Sequence, residues 1–543
     1  MKKINKIYSV LALAATLGLT SCIDETFPQE SAATAGQIGE STSALEGSLN
    51  GVPQQMTEAF LAYGARVNDN DIAYPGLMVA QSEMLGDLFP VSNQIDYDWF
   101  VTYNTPRVSW GPSSDNSYVP WFTLYKFIKS ANDIIATADI NSENPTIRAY
   151  AGMAYACRAF DYLMLTQFYE PVENKYTDVS AVKGLTVPIV TEATTPDDAK
   201  NNPRVTHEEM IAFIQGDLDK AIEGLKDYSQ TNHQLPSLAV AYGIKAKAYM
   251  WDQDFANAAK YARMAIDESG ATPMTEDEWT NPTTGFNTAC DSWMWYITYS
   301  PENMTNLSNF IGMISNEADW SYGPLALISI NRSLYDKIGS TDFRKHVFLD
   351  PDKYDYYNYQ TCRDRDYITE ELPAYASLKF RCKGGDYQNF KVGGAADVPV
   401  MRVEEMYFIE AIAKAEAESV DAGKTLLNTF MQTYRDPKFS AKSTDKRDFV
   451  LEALDQMRIE FWGEGNAFPL AKLFKVGAMQ WYEGSNVTSD YLKVNCEGIK
   501  PNWNIMIPQS EIQTNAALDG KNNPDPTQTV QVPAPLGKYG DKK

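Results

Sequence analysis

The alternation of apolar and polar positions reads as a series of helices interrupted by long irregular stretches. Thr206-His207-Glu208-Glu209 forms a capping box, in which Thr206 and Glu209 satisfy free backbone donors reciprocally. Behind it Ile211, Ile214, Leu218, Ile222 and Leu225 step by three and four, which makes one apolar stripe along a helix. A second helix is predicted from Pro145, capped by Asn144, to Phe168 and Tyr169, with Pro171 stopping it. Between residues 270 and 400 the pattern changes. Gly, Pro, Asn, Asp and aromatic residues dominate there, and short pieces such as Trp293 to Tyr299 alternate like a strand; Phe89 to Pro120 is similar. Long ordered excursions from a helical scaffold are usually functional. The stretch from Pro501 onward, rich in Pro and Asn, is expected to be irregular and surface-lying.

The 34 residues from Pro236 to Ser269 carry tetratricopeptide spacing. Ala246, Tyr249, Phe255, Ala258 and Ala265 fall at the small and aromatic positions where two helices of such a unit pack. A poorer copy starts near Glu404, with Tyr407, Ala411, Ala415 and Ala417 before Leu426, Leu427 and Phe430. One good repeat does not make a solenoid, so these helix pairs must also pack against non-repeat structure. The expected fold is mainly α: a tetratricopeptide-like helical-repeat scaffold with a less regular, loop-rich subdomain containing a few short strands.

The first residues change the picture. Lys2, Lys3 and Lys6 precede an uncharged, mostly apolar run from Ile7 to Leu19. A membrane-spanning helix needs about 20 apolar residues, so this run is a signal-peptide core. Leu19-Thr20-Ser21-Cys22 resembles a bacterial lipobox, which makes residues 1–21 a lipoprotein signal peptide and Cys22 the lipid-bearing first residue. Residues 22–45, rich in Ser, Thr, Ala, Gln and Gly, read as a lipidated flexible tether. Residues 46–269 then form an N-terminal helical region, and 270–543 a C-terminal region with the loop-rich insertion 270–400.

The full chain has a net charge of -24, and about -27 without the three signal lysines. Such a surface repels nucleic acid, whose binding relies on Lys and Arg neutralising phosphates, and it disfavours strongly anionic substrates. Five cysteines follow Cys22: Cys157, Cys290, Cys362, Cys382 and Cys496. They form no zinc-type spacing. Cys157, on an apolar helical face, reads as a core thiol, whereas Cys362 and Cys382 are able to bridge in an oxidising compartment.

At this level the chain resembles the RagB/SusD family. The carriers are Arg158-Ala159-Phe160 with Gln167-Phe168-Tyr169, Asp217-Leu218-Asp219-Lys220-Ala221-Ile222, and Leu334-Tyr335-Asp336 with Asp342-Phe343-Arg344. Further along come Pro399-Val400-Met401-Arg402, Arg458-Ile459-Glu460-Phe461-Trp462-Gly463-Glu464-Gly465, and Ile507-Pro508-Gln509. Glu170 stands where the family usually has glycine, and Asn466-Ala467-Phe468 replaces a run that often holds arginine. The resemblance implies four tetratricopeptide-like units and a lipid-anchored position on the outer-membrane surface of a Bacteroidetes-like Gram-negative cell. Asp24 and Glu25, just after the lipid cysteine, resemble the surface-export signal of such lipoproteins. It further implies partnership with a SusC-like, TonB-dependent transporter and capture of a glycan ligand, with no cofactor. Some members are thought to take other nutrients, so a peptide-binding or scaffold role stays open.

A neutral sugar offers C–H faces and hydroxyls, so its site needs aromatic platforms flanked by polar side chains. Two loop stretches supply them: Asn93 to Trp110, and Asn316-Glu317-Ala318-Asp319-Trp320-Ser321-Tyr322. Trp99 and Trp320 are the first candidates for ligand contact, followed by Tyr97 and Trp110. Trp121, Trp251, Trp293, Trp295 and Trp462 read as core. The tyrosine run 354, 356, 357 and 359 fits a rim or a transporter contact equally well. No nucleophile elbow, zinc motif or phosphate loop appears, and the three histidines are isolated; His207 looks like a surface helix residue. Glu404-Glu405 and Glu460/Glu464 are the carboxylate pairs that a glycoside hydrolase reading would use. Asp350, Asp352 and Asp355 lack the glycine and terminal glutamate of a calcium loop.

Overall fold

The computed structural model describes residues 35–58, 72–90, 110–302, 304, 307–351, 359–488 and 492–528. Cys22, Tyr97, Trp99, Asp352, Asp355, Tyr354, Tyr356 and Tyr357 lie outside them. Ten helices of 13 residues or more organise the described chain: α1 (Thr42–Met56), α2 (Ala73–Leu85), α3 (Asp115–Ile135), α4 (Pro145–Tyr169), α5 (His207–Leu225), α6 (Leu238–Trp251), α7 (Phe255–Ser269), α8 (Val403–Ala417), α9 (Val420–Tyr434) and α10 (Lys446–Glu460). The caps are those the sequence predicts. Asn144 accepts from Thr146 N–H (2.9 Å) with Pro145 at the first turn, and Thr206 and Glu209 exchange both bonds of the capping box (3.2 and 2.9 Å). Helix is already present over Ala35–Glu40 and from Thr42, inside the segment expected as a tether, because Leu45 and Leu49 bury against the body.

From α3 to α9 each helix packs on the next in chain order, as in a helical-repeat array. α7 packs on α8 although the whole insertion separates them, so the excursion leaves the array and returns without breaking it. Small residues permit the close approaches. A Cβ at Gly224 would stand 2.5 Å from Arg148 O, and one at Gly423 would stand 2.6 Å from Ala411 O. Tyr249 stacks on Tyr261 (5.5 Å), and Tyr407 on Phe430 (5.1 Å), in the two helix pairs with repeat spacing.

The sequence blocks serve the interior. Arg158 on α4 forks onto Asp217 on α5 (2.7 and 2.9 Å) and donates to Asn132 on α3 (2.8 Å). The carbonyls left without helix partners at the end of α4 are capped by two buried basic side chains. Lys472 donates to Gln167 O (2.9 Å) and Phe168 O (3.1 Å), and Arg204 to Tyr169 O (3.1 Å). Asn523 joins them on Tyr169 O (2.7 Å). The start of the stretch beyond Pro501 is not surface-lying, since Trp503, Ile505 and Ile507 are buried as it runs past this helix end, whereas the short helix Gln509–Thr514 and residues 519–521 lie toward the surface as expected. Three two-stranded antiparallel sheets complete the fold. They pair β1 (Leu88–Pro90) with β3 (Ile328–Ile330), β2 (Trp293–Thr298) with β4 (Asp397–Arg402), and β5 (Ala478–Met479) with β6 (Asn495–Cys496).

Candidate functional site

The loop 316–322 is built on Asn316 and Glu317, which turn inward. The Asn316 amide donates to Ile328 O (2.7 Å) and Ser377 O (2.9 Å) and accepts from Ile328 N–H (2.6 Å). Glu317, buried, pairs with Arg381 (3.0 Å) and accepts from Cys362 N–H (3.1 Å). Trp320 follows them into the interior at 6 % exposure. It lies between Gly312 and Gly393, where added Cβ atoms would stand within 2.7 Å of its ring, and its Nε1–H reaches Asn309 Oδ1 (3.4 Å). Trp110 is 0 % exposed. Neither indole presents a face to solvent, which corrects the expectation of an open platform at Trp110 and Trp320. Trp121, Trp251, Trp293, Trp295 and Trp462 are buried as expected.

What this loop leaves open is a cleft of about 430 Å³ beside Asp319, Pro324 and Leu327, facing Arg363, Asp364, Asp366, Tyr367, Glu370 and Glu371. A π-helical turn, Tyr367–Glu371, forms the far wall, a geometry that recurs at functional sites. The Arg363 guanidinium lies 3.6 Å from the Tyr367 ring centre and 4.7 Å from that of Tyr387, and donates to Glu317 O (3.3 Å). Tyr367 O–H donates to Asn316 O (2.6 Å). Burial, against the opposing charge of Arg363, pushes that phenol up to about 12, so it stays a neutral donor. Leu327 (φ 51°), which lines the cleft, adopts left-handed backbone, strain of the kind that clusters at ligand clamps. The arrangement offers one oriented cation and several carboxylates as donors and acceptors for hydroxyl groups. A second hollow, about 180 Å³, opens over Trp121, Phe122 and Tyr125, with Asn202, Asn515 and Glu511 at its rim.

The carboxylates of the hydrolase reading are committed elsewhere. Glu404, Glu460 and Glu464 join Asp342 against Arg344, Arg402, Arg435 and Lys379 in a fully buried lattice of four acids and four cations. Glu460 alone meets Arg344 (3.1 Å), Arg402 (3.1 Å) and Arg435 (2.8 Å). Burial pushes its carboxyl up, but Arg435, Arg402 and Arg344 outweigh burial and hold it well below the usual carboxylate range. Glu405 pairs with Lys247 (2.8 Å). His207, expected at the surface, is three-quarters enclosed: its Nδ1 lies 2.9 Å from Glu170 and its Nε2 3.2 Å from Asp252. Among the described residues no group of three or more His, Cys, Asp and Glu side chains is arranged to hold a metal ion, and no helix is long and apolar enough to cross a membrane.

Residues 76–250 match the family model SusD-like, described as starch-binding and associating with the outer membrane. A SusD-like protein of Formosa agariphila is 32 % identical over 156 residues, a match that spans 28 % of each chain. A SusD-like carbohydrate-binding protein of Bacteroides vulgatus superposes with TM-score 0.68 at 18 % identity, over 89 % of this chain and 98 % of that one. A SusD superfamily protein of Bacteroides thetaiotaomicron gives 0.68 at 17 % (89 % and 100 %), and a laminarin-binding SusD-like protein 0.61 at 16 % (89 % and 99 %). The fold is thus the one these SusD-like structures share, and residues 76–250 are similar in sequence to the SusD-like family.

Proposed function

We propose that the chain is a cell-surface glycan-binding lipoprotein that captures an oligo- or polysaccharide and delivers it to a SusC-like, TonB-dependent transporter. Residues 1–21 act as the signal peptide, Cys22 carries the lipid, and residues from 22 to the first helix form the connection to the body. The helical regions on either side of residue 270 are one scaffold, from which the insertion presents the binding surface. The family match over residues 76–250, described as starch-binding, is the observation that carries this reading. The laminarin-binding neighbour supports it. In the cleft, Arg363, held between Tyr367 and Tyr387, grips sugar hydroxyls, and the surrounding carboxylates favour an uncharged glycan over an anionic one. Trp99 and Tyr97 supply the aromatic platform.

The buried lattice, which occupies Glu404, Glu460 and Glu464 with cations, supports binding rather than turnover. Calorimetry against laminarin, amylopectin and a mannan tests the site. Arg363→Ala is expected to weaken whichever interaction is found by tenfold or more, since a hydrogen bond to a charged group is worth about 1.5–3 kcal/mol. Unchanged affinity in that variant moves the site to the hollow over Trp121. Release of reducing sugar would overturn the non-catalytic reading.

A further inference from the structure

Cys362 and Cys382 bound the segment that builds the far wall of the cleft. Arg363, Asp364, Asp366, Tyr367, Glu370 and Glu371 all lie between them. The two ends of this segment meet in space. Gly385 N–H donates to Cys382 O (2.9 Å), and a Cβ built on Gly385 would stand 3.3 Å from Cys362 Cβ. The Cys362 side chain is near enough to raise the Cys382 thiol, and Cys382 Sγ has Ser315 Oγ at 4.0 Å on another side. Glu317 braces both ends at once, accepting from Cys362 N–H (3.1 Å) and pairing with Arg381 (3.0 Å), the chain neighbour of Cys382. Cys157 and Cys496 are buried in other elements, on α4 and β6.

We propose that Cys362 and Cys382 form an intrachain disulfide in the exported protein, closing residues 363–381 into a covalent ring that carries the polar wall of the cleft. Cys362 is half-buried and Cys382 fully buried, so Cys362 is the group an oxidant reaches. The Cys362 side chain and burial push the Cys382 thiol well above its usual range, in keeping with a resolving rather than an attacking role. The Cys362 thiolate attacks an oxidant disulfide, forming a mixed disulfide and expelling one thiol. Cys382 then attacks the Cys362 sulfur and expels the second. Two electrons pass from the cysteine pair to the oxidant disulfide, whose two product thiols take up the two protons. The ring restricts where Arg363 can travel and so organises the cleft before a ligand arrives.

The pairing itself needs only a small-molecule oxidant, and only its occurrence in cells rests on the export proposed above. The reduced full chain is equilibrated with oxidised glutathione, denatured without reductant, alkylated and digested. The expected result is one linked peptide pair joining Cys362 to Cys382, with Cys22, Cys157, Cys290 and Cys496 outside any linked pair. Reductant lowers the melting temperature of the wild type, and Cys362→Ser abolishes that sensitivity while leaving Cys382 fully alkylated. Alkylation of both residues in the oxidised wild type, or stable glutathione adducts on them, would overturn the proposal. Rapid alkylation of whole cells distinguishes the two claims: a pair linked in glutathione but reduced in cells counts against export, and not against the pairing.

Discussion

The departure at Glu170 creates a measurable electrostatic device at the turn after α4. His207 Nδ1 lies 2.9 and 3.1 Å from the two Glu170 oxygens, Nε2 lies 3.2 Å from Asp252, and Trp251 Nε1–H donates to Glu170 (2.7 Å). The Glu170 hydrogen bond, opposed by burial and helped by the charges of Glu170 and Asp252, raises the imidazolium to about 9. Displacement from an unfolded value of about 6.5 corresponds to about 3 kcal/mol, which the 22 % exposure of the side chain reduces to the order of 1–3 kcal/mol. Because the folded value is the higher one, this stabilisation is complete below about pH 6.5 and disappears as pH rises through about 9. Histidine-ring NMR, with signals assigned by His207→Gln, is expected to show a midpoint near 9. The urea midpoint should fall between pH 6.5 and 9 in the wild type, and by less in Glu170→Gln. A native His207 midpoint near 6.5, or identical pH dependence in the two proteins, would refute the reasoning.

The interior makes three further predictions. Glu460→Gln strands part of the charge of three arginines and should cost about 3–5 kcal/mol by chemical denaturation. A loss under 1 kcal/mol would mean that solvent already reaches the lattice. Trp320→Ala should cost a similar amount, about 3–5 kcal/mol, because it empties the slot between Gly312 and Gly393; unaltered stability would place the indole at the surface. Thr206→Ala removes the cap from α5 and should lower stability by about 1 kcal/mol, whereas Thr206→Ser should recover most of it.

Local features were legible in the sequence because their partners are close along the chain. The cap at Asn144, the box at Thr206 and the small residues of the α6–α7 pair each need only neighbours within one or two turns. The motif blocks were visible too, but not their purpose: Arg158 meets Asp217 across 59 residues, and Arg402 meets Glu460 across 58. The loop 316–322 misled for the same reason. An aromatic among polar residues reads as a sugar platform when the partners of those polar groups are out of view. Asn316 and Glu317 are consumed by residues 328, 377 and 381, and glycines on either side of Trp320 draw it inward. Arg363 and Tyr367 lie in a run without tryptophan, the residue that most readily signals a sugar platform in a sequence. The dense run Arg363-Asp364-Arg365-Asp366-Tyr367 was the signal that an Arg–Tyr contact, rather than an indole shelf, lines the open cleft.

The most direct test of the central claim is electrophoresis of the native protein through gels containing single neutral polysaccharides, with laminarin, amylopectin and mannan in parallel and a sulfated glycan as the charged comparison. Retardation by at least one neutral glycan is expected, with none by the sulfated one. That retardation should persist after long incubation without new reducing ends. Mobility unchanged in every neutral gel, or retardation only by the anionic glycan, would contradict it.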